Sequence, residues 1–518
     1  MEIAMRRTLL LMLVVSLVAC TAGKAERPRT TVDAGTLVGV DVDDVHAFRG
    51  IPYAAPPIGD ARFLAPSPAR PWTGAREAGQ PGPRCAQLRV GDPAAGPANL
   101  GEEDCLVLDV FSRGLRDGAR RPVMVWVHGG GFSVGSGSEP ATDGTRLARR
   151  GDVVVVTVNH RLNVFGYGYF ATQGQGFPTA ANLGQLDLIA ALQWVRANIE
   201  AFGGDPGNVT LFGQSGGGAK IGNLLATPAA RGLFHKAILQ SGPGLTAKTI
   251  DEQSAIARDY LAAAGVPRDE PERLRKLSTQ QLLDALRKVT GGDPTLGFAP
   301  MVDGEVLPRQ PFTPDAPDLA AEIPVLVGYT KTETTVLFPT PDLFSLDAAG
   351  LRAKLAPFFP GRNVDDLVAR LGAALPDATP SRLYFVATSE LNGDRSWLLA
   401  ARKAAQRGAP VWLYRLEWET PVEGGRLMSP HGLDVPLVFD NVGSTATTRG
   451  EAEAGARQVA ETMSRAWLNF ARNGDPNGPG VSEWPPFDPE RKATMRFDLT
   501  PGAVDDPVGE IRSILLGR

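Results

Sequence analysis

Short runs of consecutive apolar residues, each the length of one buried strand, constrain the fold of this chain more than any other feature. Residues 123–127 and 153–158 are the clearest runs, and residues 185–200 then place aliphatic side chains at helical spacing. Continuous apolar character is typical of parallel strands that are covered on both faces. Further strand-like segments follow at residues 208–212, 236–240, 324–327 and 411–418.

Strands that alternate with helices predict an α/β fold with a mostly parallel central sheet and helices on both faces. Residues 251–290 and 346–408 are rich in Ala, Leu, Arg and Asp, which predicts helical insertions that form a cap. The body contains no internal repeat and no low-complexity linker. We therefore expect residues 35–518 to form a single domain.

Charge and hydropathy exclude two classes of protein. The chain has 53 basic and 57 acidic residues and a net charge of −4, so we expect no nucleic-acid partner. No apolar run reaches the roughly 18 residues that a membrane-spanning helix needs. A polytopic membrane protein is therefore not expected. The sequence also contains no cluster of metal-ligand residues, and we expect neither a metal nor another cofactor.

The N-terminus is predicted to be a targeting segment that does not belong to the fold. Arg6 and Arg7 supply the positive charge with which a signal peptide begins, and residues 9–19 supply its apolar core. We therefore expect residues 1–19 to be removed as a signal peptide and the protein to be exported.

Cys20, directly after this segment, predicts how the exported chain is held. Residues 17–20, Leu-Val-Ala-Cys, resemble the bacterial lipobox, in which the cysteine is diacylated and becomes the new N-terminus. Each buried acyl CH₂ contributes roughly 0.8 kcal/mol, so several acyl chains anchor a protein stably. We expect a lipoprotein of the bacterial cell envelope with residues 20–34 as its lipid-anchored tether. The alternative is an ordinary signal cut after Ala22, with a periplasmic or secreted product.

Cysteine usage agrees with export. The chain has three cysteines, an odd number that would leave one thiol unpaired in an exported protein. If Cys20 is lipidated, Cys85 and Cys105 remain as a pair, and a disulfide between them would stabilise the fold by about 3 kcal/mol on a chain-entropy estimate. An oxidising compartment favours the disulfide, and the alternative is two buried thiols.

The motif Gly-x-Ser-x-Gly, which can present a nucleophilic serine, occurs twice. The copy centred on Ser133 follows a strand but leads into Ser-Gly-Ser-Glu-Pro, which cannot start a helix promptly. The copy centred on Ser215 follows the predicted strand at residues 208–212 and precedes a short helix at residues 220–225. Because strand, turn and helix together lift the hydroxyl above the sheet, Ser215 is the predicted nucleophile.

A serine nucleophile needs a neighbouring imidazole to take its proton, and the chain offers five histidines. In sheets of this kind the chain order is Ser, then Asp or Glu, then His, and only His235 and His431 follow Ser215. His235 comes too soon for an acid-bearing strand to lie between them. His431 follows the strand at residues 411–418, at the sheet edge where ligands bind, and is the predicted base.

The acid that orients the imidazole must lie between the serine and the histidine, just past a strand. Glu333 meets both conditions, because it follows the predicted strand at residues 324–327. Its role would be to hold the imidazole tautomer and to stabilise the imidazolium. Asp303 is a competitor that is more typical of a hairpin turn, and Asp434 is close to His431 but follows it.

Three glycines after the strand at residues 123–127 predict an oxyanion hole. Gly129, Gly130 and Gly131 lack a Cβ, so their backbone N–H groups can approach a developing oxyanion. The N–H of Gly216, the residue after the predicted nucleophile, would complete a hole with two or three donors. The alternative is a phosphate-binding loop, which is disfavoured because the P-loop lysine and the G-x-G-x-x-G spacing are missing.

Together with several further motifs, these residues resemble the type-B carboxylesterase family, the cholinesterase-like branch of the α/β-hydrolases. The similarity runs from about residue 48 to residue 498, nearly the whole predicted mature chain. The motifs in chain order are Phe-Arg-Gly-Ile-Pro-Tyr at 48–53, Glu-Asp-Cys-Leu at 103–106, His-Gly-Gly-Gly-Phe at 128–132, Asn-His-Arg-Leu at 159–162, Phe-Gly-Gly-Asp-Pro at 202–206 and Gly-Asp-Pro at 474–476.

The resemblance implies an α/β-hydrolase fold and a set of residues that act together. A serine that often forms a hydrogen bond near the triad of family members corresponds to Ser241 here. The implied groups are the triad Ser215, Glu333 and His431, the oxyanion hole Gly130, Gly131 and Gly216, the supporting residue Ser241, and the disulfide Cys85–Cys105.

The chain departs from the usual family pattern at four positions near the predicted site. Gln214 replaces a Glu that often precedes the nucleophile, and Gly216 replaces the Ala that usually follows it. Thr334 stands where Gly usually follows the acid, and His160 stands where Tyr is usual. None of these changes removes a reacting group, so we expect them to reshape the pocket and to leave the chemistry intact.

The predicted function is that of a serine carboxylesterase, which hydrolyses carboxylic esters through an acyl-enzyme intermediate. We expect a small-molecule ester as the partner and contact with a membrane only through the N-terminal lipid anchor. One alternative is amide or carbamate hydrolysis, or transacylation, on the same triad. Another is a non-catalytic binding protein, against which the intact triad argues.

Overall fold

The computed structural model describes residues 26–89, 99–171, 177, 180–293, 296–337 and 340–517. The predicted signal peptide at residues 1–19 and the predicted lipidation site Cys20 lie outside these described residues. In the described ranges, no helix is both long and apolar enough to cross a membrane.

The predicted tether at residues 20–34 is too long, because its C-terminal part belongs to the folded body. Arg29–Val32 forms strand β1, which pairs antiparallel with strand β2, Gly35–Val38. Every second side chain of β1 is buried, and the Thr30 hydroxyl donates a hydrogen bond to the Ala201 carbonyl oxygen at 2.9 Å. Four residues are too few for this alternation to distinguish a strand from a polar linker in the sequence.

Strands and helices alternate along most of the described chain, as predicted. The other strands are β3 (Val40–Val42), β4 (Val45–Pro52), β5 (Ala75–Glu77), β6 (Gln87–Leu88), β7 (Asn99–Leu100), β8 (Val107–Ser112), β9 (Arg121–Val127), β10 (Val154–Val158), β11 (Gly204–Gln214), β12 (Lys236–Gln240), β13 (Val325–Thr330), β14 (Val411–Leu416), β15 (Ala493–Phe497) and β16 (Gly502–Asp505). The helices are α1 (Thr145–Gly151), α2 (Asn163–Tyr167), α3 (Leu183–Asn198), α4 (Gly216–Leu225), α5 (Ile250–Ala264), α6 (Thr279–Thr290), α7 (Thr334–Leu337), α8 (Ala348–Leu355), α9 (Val364–Ala374), α10 (Pro380–Ala405), α11 (Asp434–Val438), α12 (Glu453–Asn473) and α13 (Gly509–Leu516).

The central sheet has eleven strands in the described part of the chain, in the order β16-β15-β14-β13-β12-β11-β9-β10-β8-β4-β3. Neighbours from β15 to β10 in this order are parallel. At the two ends, β16 and the group β8, β4 and β3 pair antiparallel. Because parallel strands end at the same edge of a sheet, the segments that follow β9, β11, β13 and β14 lie near one another.

Both faces of this sheet are covered, which explains why its central strands have no polar face. In β9, Val123 and Val125 point into one apolar core, whereas Met124 and Trp126 point into another. Helices α3, α4 and α10 contribute side chains to the first core, and helices α1, α11 and α12 contribute to the second. The predicted α/β architecture with helices on both faces is confirmed.

Two further apolar clusters belong to the helical insertions. Helices α5 and α6 pack with α2 around Tyr260 and Phe298. Helices α8, α9, α10 and α13 pack around Leu371 and Phe385. The insertions predicted at residues 251–290 and 346–408 are therefore helical, and each has an apolar core of its own.

The predicted disulfide is present in the structure. The Cys85 and Cys105 sulfur atoms are 2.03 Å apart, and both residues are buried. Strands β6 and β7, which pair antiparallel, lie inside the loop that the bridge closes. Because Cys85 and Cys105 are bonded to each other, the described part of the chain contains no free thiol.

Candidate active site

Ser215 occupies the turn between β11 and α4, where the sequence predicts a nucleophile. Its φ of 56° and ψ of −124° are unusual for a residue with a Cβ, and such strain costs on the order of 1–3 kcal/mol and is found mostly at functional sites. Helix α4 begins at the next residue, so the positive end of its dipole lies at the serine.

Glycines allow three backbone segments to meet at this turn. A Cβ on Gly217 would lie 2.0 Å from the Val127 carbonyl oxygen, and a Cβ on Gly242 would lie 1.8 Å from the Ser215 carbonyl oxygen. The end of β9 and the segment after β12 therefore contact the turn without any side chain between them. Neither glycine can be replaced without moving the backbone of the turn or of the segment in contact with it.

The other Gly-x-Ser-x-Gly motif has a different structure. Ser133 is buried, and its N–H donates to the Gly130 carbonyl oxygen within a turn. The next α-helix in the chain is α1, which starts at Thr145. Ser133 therefore lacks the strand–turn–helix setting that surrounds Ser215, as predicted.

Glu333 and His431 are brought together at the carboxyl edge of the sheet. Glu333 lies between β13 and α7 and is fully buried. One of its carboxylate oxygens accepts a hydrogen bond from the Thr330 N–H at 2.8 Å, and the other forms a short hydrogen bond with His431 Nδ1. This arrangement holds the imidazole in the tautomer that leaves Nε2 free to accept a proton.

The surroundings of His431 set its affinity for a proton. Burial alone would lower the pKa of His431. The charge of Glu333 and its hydrogen bond outweigh burial, so the pKa of His431 stands above its ordinary value of 6.5. The imidazolium is thereby stabilised, as a base that must hold a proton during a reaction requires.

The two competing acids have other roles. The carboxylate of Asp303 accepts hydrogen bonds from the Glu305 and Leu307 N–H groups, which is the hairpin-turn role that the sequence suggests. Asp434 accepts hydrogen bonds from Gln240 and Tyr414 through one oxygen. Neither Asp303 nor Asp434 forms a hydrogen bond with an imidazole in the described residues, so Glu333 is the acid that contacts His431.

The second ring nitrogen of His431 contacts Gln214, the residue before the predicted nucleophile. The distance between His431 Nε2 and Gln214 Nε2 is 3.0 Å, so the neutral imidazole can accept a hydrogen bond from the Gln214 amide. The Ser215 hydroxyl forms no hydrogen bond within the described residues. In this structure His431 therefore contacts Glu333 through Nδ1, and its Nε2 contacts Gln214, the neighbour of Ser215, and not the Ser215 hydroxyl.

The glycine loop after β9 has free backbone donors. Gly130 and Gly131 have φ values of 86° and 60°, which residues with a side chain rarely adopt. Among the described residues, no backbone carbonyl accepts a hydrogen bond from the N–H of Gly130, Gly131 or Gly216. Three donors near the serine are thus available to a ligand, as an oxyanion hole requires.

The absence of a side chain at Gly216 has a structural consequence. A Cβ at this position would lie 2.1 Å from the Gly131 carbonyl oxygen and 2.5 Å from the Gly131 Cα. The glycine loop therefore packs directly on the first residue of α4. An alanine, which is usual in the resembling family, would require this loop to move.

Two other departures from the family pattern make identifiable contacts. The Thr334 hydroxyl lies 2.7 Å from that of Thr388 and 3.0 Å from that of Ser389, so it ties α7 to α10. The His160 ring stacks on the His128 ring with a centroid distance of 4.6 Å. The first contact supports the segment that follows Glu333, and the second lies at the start of the glycine loop.

The supporting hydrogen bond implied for Ser241 is not formed. Ser241 is buried, with a φ of 52°, and its hydroxyl has no partner within the described part of the chain. The Glu333 carboxylate instead contacts the Thr330 N–H and His431. Ser241 therefore contributes a strained backbone position next to the site and no bond to the triad.

The sequence predicts no catalytic or positioning role for two residues of the site: Gln214 stands out only as a departure from the family pattern, and Lys220 is not singled out at all. Both are buried. Gln214 could have been found from its place beside the serine, and Lys220 from being the one charged residue of a helix that otherwise has the sequence of a buried segment. In the described ranges, no group of three or more His, Cys, Asp or Glu side chains is arranged to hold a metal ion.

Comparisons with known proteins show the family and the fold of this chain. The sequence profile of the Carboxylesterase family matches residues 26–347 and 379–510. The chain is 35% identical over 500 residues to the para-nitrobenzyl esterase of Bacillus subtilis strain 168, covering 94% of this chain and 98% of that protein. It is 37% identical over 488 residues to the fumonisin B1 esterase of Sphingopyxis macrogoltabida, covering 91% and 86%. A crystal structure of a Geobacillus stearothermophilus carboxylesterase superimposes with a TM-score of 0.80 at 36% identity, covering 94% of this chain and all of that one.

Proposed function

Since the chain belongs to the carboxylesterase family, has its α/β-hydrolase fold and is a carboxylic-ester hydrolase, we propose that Ser215, His431 and Glu333 are its catalytic triad. The observation that carries this proposal is the contact of His431 with the buried Glu333 at the sheet edge where the strained turn presents Ser215. The three side chains come from the segments that follow β11, β13 and β14, three parallel strands of one sheet.

In the proposed acylation step, Ser215 Oγ forms a bond to the carbonyl carbon of the ester while His431 Nε2 takes the hydroxyl proton. The contact between Gln214 and Nε2 breaks first, because this nitrogen must accept the proton. Glu333 stabilises the imidazolium and does not itself take the proton. The negative charge that develops on the carbonyl oxygen is met by the N–H groups of the oxyanion hole, Gly130, Gly131 and Gly216.

The bond to the leaving alcohol then breaks, and the imidazolium returns its proton to the alcohol oxygen. An acyl group now remains on Ser215. Water then takes the place of the serine as the nucleophile. His431 takes a proton from the water, and the water oxygen attacks the acyl carbon. The bond to Ser215 Oγ breaks, the serine recovers its proton from His431, and the acid is released. Each proton moves through the same nitrogen, so a single histidine serves both half-reactions.

The test is the initial rate of hydrolysis of nitrophenyl esters of graded acyl length by the wild-type chain and by Ser215→Ala. Loss of a triad serine lowers kcat by roughly 10⁶-fold in serine hydrolases, and we expect a loss of this order. Ser133→Ala is the matched control, because it changes the serine of the other Gly-x-Ser-x-Gly motif and should keep kcat near the wild-type value. Full activity of Ser215→Ala would refute the assignment.

We further propose that the protein is exported and anchored to the bacterial cell envelope through acyl chains on Cys20. The support is the sequence alone: the basic and apolar character of residues 6–19 and the Leu-Val-Ala-Cys segment that ends at Cys20. The anchor would hold the folded body on the membrane surface through a tether that ends before β1.

A further inference from the structure

Helix α4 carries a lysine in a place where a charge is costly. Lys220 lies five residues after Ser215, is the one charged residue of the helix and has an exposed fraction of 0%. An ammonium group loses its hydration on burial and is normally paired with a carboxylate when it is this deep. Among the described residues, Lys220 forms no ion pair, so no carboxylate offsets the cost of burying its ammonium group.

The contacts of the Lys220 ammonium point to the glycine loop. Its Nζ donates a hydrogen bond to the His128 carbonyl oxygen at 3.0 Å. Nζ also lies 5.8 Å from the centre of the Phe132 ring, within the range of a cation–π interaction. His128 and Phe132 are the residues that flank the three glycines, so Lys220 contacts the loop at both ends.

Lys220 and the two nearby imidazoles, His128 and His160, differ in their affinity for a proton. Burial and the nearby Lys220 ammonium together lower the pKa of His128 to about 3, and the same two causes hold the pKa of His160 well below its ordinary value. Arg84 acts on His128 in the same direction. Because their pKa values are this low, both imidazoles are neutral at neutral pH. Burial lowers the pKa of Lys220 to about 7, so Lys220 still holds a proton in a large part of the molecules.

We propose that Lys220 is a positioning residue for the oxyanion hole, which fixes the glycine loop against the nucleophile helix through its hydrogen bond to the His128 carbonyl. The donors of the hole come from two separate elements, since Gly130 and Gly131 follow β9 while Gly216 begins α4. Lys220 belongs to the second element and binds the first. The Lys220 contact therefore sets the distance between the two groups of donors.

This inference rests on the proposed function, and it makes a specific claim about the transition state. Donors that are held in place are most valuable when the oxyanion has formed. Removal of the Lys220 contact should therefore lower kcat and weaken inhibitors that form an oxyanion on Ser215, with little effect on KM. If Lys220 only stabilised the fold, its replacement would leave kcat and inhibitor affinity unchanged when both are expressed per folded enzyme molecule.

The experiment compares Lys220→Met with Lys403→Met. Lys403 is a matched control because it too is fully buried and donates to a backbone carbonyl, that of Ala321 at 2.8 Å. Both variants lose one buried ammonium and keep an apolar stem. The concentration of working sites is first measured by titration with a fluorophosphonate, and kcat, KM and the inhibition constant of an alkyl trifluoromethyl ketone are then determined.

We expect Lys220→Met to lower kcat about 10- to 100-fold, less than the loss of a donor itself, to raise the ketone inhibition constant by a similar factor and to keep KM within about threefold. Lys403→Met should leave all three near wild type. A Lys220→Met enzyme with kcat and ketone affinity within about twofold of wild type would overturn the inference, as would an equal loss in Lys403→Met.

If Lys220→Met does not fold, Lys220→Gln is measured in its place. Its amide is uncharged and one atom shorter than the lysine side chain, so we expect the same losses of kcat and ketone affinity, and wild-type values would overturn the inference. Failure of the proposed function is a separate result, because it would appear as hydrolysis by Ser215→Ala whatever the behaviour of Lys220.

Discussion

Replacing Glu333 with glutamine tests how one carboxylate acts on the base. The charge of Glu333 raises the pKa of His431 against the effect of burial, so the pKa of His431 should fall in Glu333→Gln. Because the neutral imidazole is the active form, the acid limb of kcat/KM should move to lower pH in the variant. We also expect kcat to fall about 10⁴-fold, as it does when the orienting acid of a triad becomes an amide.

The pH profile of kcat/KM for a nitrophenyl ester measures both effects. Asp303→Asn is the control, since Asp303 belongs to a turn and does not contact His431. An acid limb in Glu333→Gln that stays at the wild-type pH would mean that another group sets the pKa of His431.

A second charge can be added on the other side of the imidazole. The Gln214 amide nitrogen is 3.0 Å from His431 Nε2, so Gln214→Glu would place a carboxylate at this distance. An opposite charge this close raises a histidine pKa by about 1–3 units, and we expect the acid limb of kcat/KM to move to higher pH by a similar amount. Gln214→Met, which has the same length and no charge, should leave the limb near its wild-type position. If Gln214→Glu has the profile of Gln214→Met, then the side chain does not face Nε2 in the working enzyme.

The sequence predicts the reacting residues better than their neighbours, for a physical reason. A turn motif, the order along the chain and a position after a strand identify Ser215, Glu333 and His431. All three features can be read from the sequence without knowing which distant residues are in contact. The contact between Gln214 and His431 joins residues 217 positions apart, and no local pattern encodes it. Ser241 shows the reverse case, because its backbone position fits the site while its hydroxyl finds no partner there.

At the scale of elements, a buried ion pair joins the segment after β10 to helix α3. The Asp187 carboxylate accepts hydrogen bonds from Arg161 Nε at 2.9 Å and Nη2 at 2.7 Å, and both side chains are buried. Removal of one partner leaves the other charge unpaired in the interior, which costs about 3–5 kcal/mol. We therefore expect Asp187→Ala to lower the free energy of unfolding by this amount, as measured by urea denaturation.

An exposed pair provides the matched control for that prediction. Asp505 on β16 pairs with Arg491 at 3.1 Å, and both side chains are more than half exposed. Such pairs contribute about 0–1 kcal/mol, so Asp505→Ala should have a small effect on the urea midpoint. Equal losses in the two variants would contradict the role assigned to burial.

Elements of the central sheet could be predicted more closely than those at its margins. Strand β12 matches its predicted bounds of residues 236–240, and β9 and β10 differ from theirs by one or two residues. A strand that is buried on both faces has a mostly continuous apolar sequence, which makes it easy to recognise. Strand β1 was missed because half of its side chains are exposed and polar.

At the scale of the whole molecule, the sequence specifies the sheet and leaves the packing of the insertions open. Helices α5 and α6 could be expected from composition, but their contact with α2 depends on side chains far apart in the chain. The long helix α10 contributes to the core of the sheet and also to the cluster with α8, α9 and α13. A helix that serves two cores has apolar residues on more than one face, so its sequence does not indicate which neighbours it has.

The place where the whole molecule resides is predicted to depend on one atom, the Cys20 sulfur. Diacylation forms a thioether on this sulfur, so a serine at position 20 cannot carry it. In a bacterium that expresses the protein, we expect the wild-type chain to incorporate labelled palmitate and to place its esterase activity in the membrane fraction. We expect Cys20→Ser to incorporate no label.

The double variant Cys85→Ser, Cys105→Ser is the control and should keep the label, because those sulfur atoms are joined in the disulfide. Because Cys20 precedes β1, where the folded body begins, Cys20→Ser should keep the wild-type kcat per folded molecule. Wild-type protein without label would instead favour an ordinary signal cut after Ala22.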